Sequence, residues 1–146
     1  MVKTFGPRGT MHLLPCADVP MWTGALTALP SAVPAHPEGV RFPPSRPTRS
    51  WRAIGAALAD TELTIDELTE AIADRTGPPT VERTMDAFQY KRPRWRQLTS
   101  TAAHRRMLCF GPDRGRKVTY TNPHHGPRRP ASLDRSASGA DDLAGA

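Results

Sequence analysis

Leu63-Thr-Ile-Asp-Glu-Leu-Thr-Glu-Ala-Ile-Ala-Asp-Arg-Thr-Gly77 carries the clearest local signals in the chain. Thr64 and Glu67 stand at the spacing of a capping box, in which the hydroxyl and the carboxylate each satisfy an orphan backbone N–H. Leu63 and Leu68 suit the accompanying hydrophobic staple, and Ile65, Leu68 and Ile72 recur on one helical face. Asp66 and Glu67 favour the positive end of the helix, Arg75 the negative end, and Gly77-Pro78-Pro79 stops it. A capped amphipathic helix of this kind needs partners to bury its apolar face, and the sequence on either side is read for them.

Upstream, Trp51, Ile54 and Leu58 repeat the i, i+3, i+7 spacing and predict a preceding helix. Before it, residues 30–49 hold six prolines in the stretch from Pro30 to Pro47, which predicts an extended, solvated linker. Residues 1–29 read as a strand at Met11–Leu14 and a helix from Asp18, with Met21, Trp22, Ala25, Leu26 and Leu29 on its stripe. Downstream, Val81, Met85 and Phe88 predict another helical turn or two, broken near Pro93. Helix restarts at Arg94 and runs through Trp95, Leu98 and Ala102 towards Arg106. Met107–Phe110 and Lys117–Thr121 then read as two strands around the turn-rich loop Gly111–Arg116. Residues 123–146 read as a disordered basic, Ser/Gly/Ala-rich tail. The fold class expected is α+β and mainly helical: a winged helix-turn-helix at 50–122 with a two-stranded β wing. A strand-helix segment, resembling part of a preceding winged-helix unit, comes before it.

Composition sets the scale. Of 146 residues only 24 are Leu, Ile, Val or Phe, and 27 are Gly or Pro, so the core is small and a large enzyme domain around a deep buried site is not expected. The formal charge of +6 hides an asymmetry: Asp60–Asp86 carries a balance of −6, and Ala87–Pro130 one of +10. Cations on the last helix and the wing are the layout of a winged helix on duplex DNA, with Arg92, Arg94, Arg96, Arg105, Arg106, Arg114, Arg116 and Lys117 as the phosphate contacts. The alternative, a solvated arginine-rich face, is weighed down by that placement. Trp95 suits the core better than base stacking, because Leu98 and Ala102 continue its face.

Cys16 and Cys109 show no paired spacing, so free thiols in a reducing compartment are expected. No signal-peptide pattern and no apolar run of about 18 residues occurs, which predicts a cytoplasmic protein with no membrane partner. His12-x-x-x-Cys16 has a usable metal spacing, but His104, His124, His125 and Cys109 complete no zinc pattern, so no metal and no cofactor is expected. Asp66, Glu67 and Glu70 are accounted for by helix electrostatics, and no catalytic residue is assigned. The oligomeric state is left open by the sequence.

Three segments, in order, carry a family resemblance. Lys3-Thr-Phe-Gly-Pro-Arg-Gly-Thr-Met-His-Leu-Leu-Pro15, with Arg8, Gly9, Thr10 and His12 at its centre, resembles the Arg-Gly-Thr-(Leu)-His-Leu segment of the bacterial winged helix DNA-binding domain family, which includes the AlkZ/YcaQ-like DNA glycosylases. Leu63–Gly77 looks like that family's Leu-Thr-x-x-Glu-Leu helix, and Leu108-Cys-Phe-Gly-Pro-x-x-Gly-Arg-Lys-Val-Thr-Tyr120 is similar to its wing. The resemblance implies tandem winged helices and, in characterised members, removal of alkylated or crosslinked bases from DNA by N-glycosidic hydrolysis. It also implies a catalytic glutamine motif upstream of the segment that Lys3 begins to match, and a C-terminal barrel. Neither Gln89 nor Gln97 stands in the first context, and the barrel has no counterpart. Ser100-Thr-Ala-Ala103 stands where many relatives have Lys-Pro-Ala-Ala, and the pattern is lost after Val118-Thr-Tyr120. The expectation is a truncated or fragmentary member that binds DNA without catalysing base removal. A repair glycosylase with residual activity and a non-functional gene remnant are the alternatives. Within the matched segment, Gly9 suits a tight turn, Arg8 a carboxylate or phosphate partner, and His12 packing or a backbone contact.

Overall fold

The computed structural model describes residues 1–29, 36–42 and 47–125. Helix α3 spans Ile65–Thr76, and its start is the capping box: Thr64 Oγ1 accepts from the Glu67 N–H at 3.4 Å while Glu67 Oε2 accepts from the Thr64 N–H at 2.8 Å. Gly77 ends it at φ +85°, a conformation that a Cβ would strain, with its N–H on the Ala73 carbonyl at 2.8 Å. Pro78 then opens a single turn, α4 (Pro78–Val81), where its missing N–H leaves no bond unmade.

Helix α2 (Pro47–Ala57) supplies the partner face. Its Ile54, with Leu58 just beyond the helix, meets Leu68 and Ile72 of α3 in a core that also takes Trp95, Leu98, Ala102, Leu108 and Tyr120. Helix thus begins inside the stretch read as linker. Residues 36–42 also depart from the solvated chain expected there. Val40 N–H turns back onto the Pro37 carbonyl, Phe42 packs on the core, and Gln97 Nε2 donates to the Val40 carbonyl at 2.6 Å. The remaining positions of 30–46, and the tail from residue 126, lie outside the described residues.

The apolar triplet Val81, Met85 and Phe88 misleads. The chain forms an antiparallel hairpin, β4 (Arg83–Ala87) with β5 (Tyr90–Pro93), not the helical turns expected, and Phe88 at its tip is 92% exposed. Asp86 faces Lys91 across the ladder, and Arg94 just after the hairpin holds Glu82 just before it at 3.2 Å, so polar cross-strand pairs replace the apolar stripe. Pro93 closes the ladder at its open end and bars helix upstream. The restart at Arg94 is first a 3₁₀ segment, Arg94–Leu98, and then α5 (Thr99–His104), so the single helix to Arg106 is corrected to two short pieces.

Two strands form within the stretches expected at Met107–Phe110 and Lys117–Thr121, as β6 (Cys109–Phe110) and β7 (Thr119–Thr121), joined by the β6–β7 loop. A two-residue strand, β3 (Leu63–Thr64), completes a sheet of order β3-β7-β6, pairing Leu63 with Tyr120. At the N-terminus the expected single strand is one arm of a hairpin, β1 (Val2–Phe5) with β2 (Met11–Leu14), followed by α1 (Val19–Ala28). The reversal needs two residues of positive φ, Arg8 at +57° and Gly9 at +71°, and Gly9 supplies the turn as read. This segment packs on the rest of the fold: the Phe5 ring lies 5.2 Å from that of Phe110, and Thr27 of α1 donates to the His104 carbonyl at 2.9 Å. Val2 and Val19 bury Cys109.

Burial pushes the Cys109 thiol up to about 12, with Cys16 and Glu62 as the nearby anions adding to it, whereas Cys16 is exposed. A maleimide at pH 8 is therefore expected to label one thiol per folded chain, Cys16, and the second only in denaturant. Mass spectrometry of the labelled peptides checks this, and rapid labelling of Cys109 in the native protein would contradict it.

Candidate nucleic-acid interface

The cations assigned from sequence to one surface are dispersed by the fold into three settings. Arg94 is structural: its side chain is 13% exposed, pairs with Glu82, and donates to the Gly39 carbonyl at 3.3 Å. Arg114 and Lys117 of the β6–β7 loop are turned onto the start of α3. Arg114 Nη1 reaches Glu67 Oε1 at 3.0 Å and Oε2 at 3.1 Å, and its Nη2 donates to the Glu62 carbonyl at 2.9 Å. Lys117 Nζ lies 3.6 Å from Asp66 Oδ2. These pairs are exposed, so each contributes little to stability, but they tie the β6–β7 loop to the start of α3 and partly neutralise its charge.

The second setting is a cleft of about 340 Å³ between the start of α3, the β4–β5 hairpin and the β6–β7 loop. Its cations are Arg83, Arg92, Arg96, Arg116 and Lys117, against Asp66 as the acidic residue in its lining. Each element contributes for a local reason. The hairpin ladder carries Arg83 and Arg92 on opposite strands, where Arg83 Nη1 donates to the Lys91 carbonyl at 3.1 Å and the Arg92 guanidinium lies 5.8 Å from the Tyr90 ring centre. The 3₁₀ segment holds Arg96 over the Trp95 ring at 5.8 Å. Gly115, at φ +65°, sits in the turn of the β6–β7 loop, and Arg116 and Lys117 just after it line the cleft. Beneath it, Tyr120 is buried; burial raises its phenol above the ordinary value, and Arg96 and Arg92 work in the opposite direction.

Arg83 is not among the cations expected from sequence, because it lies in the acidic stretch Asp60–Asp86, where its charge only offsets acids. Only a correct hairpin register, pairing Arg83 with Pro93, would have brought it beside Arg92. Arg105 and Arg106 are the third setting, at the end of α5 and outside the cleft. In the N-terminal turn Arg8 is exposed, and Thr10 Oγ1 meets His12 Nε2 at 2.9 Å, with the His12 ring against Gly6. Trp95 is fully buried, its Nε1 donating to Thr69 Oγ1 at 3.0 Å. Among the described residues no group of three His, Cys, Asp or Glu side chains is placed to hold a metal, and no helix is long and apolar enough to cross a membrane.

Glu67 serves the cap and the wing together. Hydrogen bonds from the Thr64 backbone and hydroxyl, and then Arg114, hold its carboxyl below the ordinary carboxylate range. A group lowered on folding stabilises the fold above its unfolded value, and that contribution is lost as pH falls through the folded value. Urea midpoints measured between pH 7 and pH 3 are expected to fall more steeply for the parent than for Glu67→Gln. Equal slopes would remove the assignment.

Comparison with known proteins places this geometry. A family model described as DNA glycosylase AlkZ-like matches residues 1–145. An interstrand DNA cross-link repair glycosylase of Streptomyces sahachiroi is 29% identical over 125 residues, 84% of this chain and 32% of that protein. The solved structure of Streptomyces sahachiroi DNA glycosylase AlkZ matches with a TM-score of 0.68 and 25% identity, again over 84% of this chain and 32% of that one. The chain spans about a third of the length of both. With the family model matched along nearly its whole length, the chain belongs to the DNA glycosylase AlkZ-like family.

Proposed function

We propose that this chain is a DNA-binding part of the glycosylase architecture, a winged-helix unit at 47–121 that grips the phosphate backbone of duplex DNA in the cleft between hairpin and wing. The element order supports the winged-helix reading: α2, the short strand β3, α3, then α4 and the β4–β5 hairpin as an insertion, the 3₁₀ segment with α5, and the strand pair β6–β7 as the wing, with β3 paired to β7. The observation that carries the binding reading is the cleft itself, where five cations from three separate elements converge against Asp66. Guanidiniums donate two parallel hydrogen bonds to paired phosphate oxygens, and each neutralised phosphate releases condensed counterions. The family relationship supports a DNA substrate and a role in base-excision repair. Residues 1–29, a hairpin and helix packed on this unit, are read as the end of a preceding unit of the same kind. Base removal is assigned to none of the residues described.

Fluorescence anisotropy with a labelled duplex tests the reading. Affinity is expected to fall linearly with the logarithm of salt, by a slope of about 0.9 for each phosphate engaged. Binding that is absent, or indifferent to salt, rules it out.

A further inference from the structure

A second basic surface lies apart from the cleft and shares no lining residue with it. It is a groove of about 570 Å³ between α1 and the end of α5, with Trp51 on its wall and Arg105, Arg106 and Met107 along one side. Trp51 carries two guanidiniums, Arg105 at 4.6 Å and Arg52 at 5.4 Å from its ring centre. Such contacts hold a guanidinium in place while its N–H edges stay available. Ion pairs among the described residues engage Lys91, Arg94, Arg114 and Lys117, and none engages Arg52, Arg105 or Arg106. Among the described residues no Asp or Glu lines the groove.

Two backbone features add to this. Arg106 sits at φ +57°, just past the helix end, a place that favours glycine because a Cβ is strained there. A long cation is thus held at a position that backbone energetics assign to the smallest residue, which is the pattern of strain retained for function. On the facing wall Gly24 has nothing within 4 Å of where a Cβ would stand, so no side chain fills the groove at that point.

We propose that Arg52, Arg105 and Arg106 around Trp51 form a second phosphodiester-binding surface, which holds the backbone of the same duplex beyond the stretch gripped in the cleft. The inference rests on the DNA-binding reading above and adds a second, separate contact to it. Its signature is length. A duplex of 10 base pairs is expected to engage the cleft alone, and one of 30 base pairs both surfaces, steepening the salt slope by about 2 to 3 for three more cations.

The test is a salt titration of both duplexes with the parent, with Arg52→Ala/Arg105→Ala and with Arg106→Gly. Both variants are expected to bind the short duplex as the parent does, while on the long one Arg52→Ala/Arg105→Ala loses about 1.8 of the extra slope and Arg106→Gly about 0.9. Arg106→Gly suits the left-handed backbone, so its melting temperature is expected to equal or exceed the parent's, and a loss of long-duplex affinity there does not reflect unfolding. In a Trp22→Phe background, with Trp95 buried, a change in tryptophan emission with the long duplex alone would report Trp51 directly. Equal slopes for the two lengths, or variants with the parent's long-duplex slope, overturn the second surface while leaving the cleft intact. Long-duplex binding that needs Arg52 and Arg105, with no short-duplex binding, overturns the cleft instead. No binding to either removes both.

Discussion

Replacing Trp95 with alanine is expected to cost about 3 to 5 kcal/mol, the range for emptying the site of a buried aromatic. Domains of ordinary size hold only about 5 to 15 kcal/mol in total, so this one change takes a large share of the stability. The side chain is fully buried where α2, α3 and the wing sheet converge, and few large apolar residues stand ready to fill the void. The indole also satisfies Thr69 from its Nε1, a bond that alanine deletes. Urea denaturation followed by circular dichroism checks the expectation, with Trp95→Phe predicted to lie between the two. A midpoint unchanged in Trp95→Ala would show that the core does not depend on this residue.

Removing Arg83, Arg92 and Arg116 together is expected to lower affinity for duplex DNA by about 500-fold at 0.1 M salt. The figure follows from a slope lowered by about 0.9 per cation, and therefore by about 2.7 for three, over one decade of salt below 1 M, where the electrostatic contribution has largely gone. All three side chains are exposed and none is in an ion pair with an acid among the described residues, so folding is expected to be spared. The comparison that gives the result its meaning is Asp66→Asn. It removes the acid from the cleft lining and releases Lys117, so affinity is expected to rise. Anisotropy titrations at matched salt read both changes. A triple variant that binds as tightly as the parent would show that the DNA does not lie in the cleft.

How far these sites could be read from sequence depended on how local their causes are. The capping box was legible because its donors and acceptors lie three residues apart, and Leu68 and Ile72 followed from the same turn geometry. The strands β6 and β7, the burial of Trp95 and the turn at Gly9 were also legible, each from side chains or glycines within a few positions. The hairpin at 83–93 was not. Val81, Met85 and Phe88 match helical spacing, and what decides against helix is pairing across the turn together with Pro93 at the ladder's end. That error hid the cleft, because Arg83 is brought to Arg92 only by strand register. The pairing of Arg114 with Glu67 joins residues 47 positions apart, and the charge profile displayed both partners without showing that they meet. Net charge by segment thus located the cations but not which of them are free.

The double use of one carboxylate has a consequence for how this protein can change. Glu67 caps α3 through Thr64 and anchors the wing through Arg114, so a single codon governs both the start of a helix and the pose of a loop nearly fifty residues later. Glutamine keeps the first task and loses the charge behind the second, and aspartate is too short to span the same reach to both. The position is therefore tightly constrained: the β6–β7 loop can be loosened at no cost to the helix by altering Arg114 or by Glu67→Gln, whereas a side chain at residue 67 that can no longer cap moves both at once.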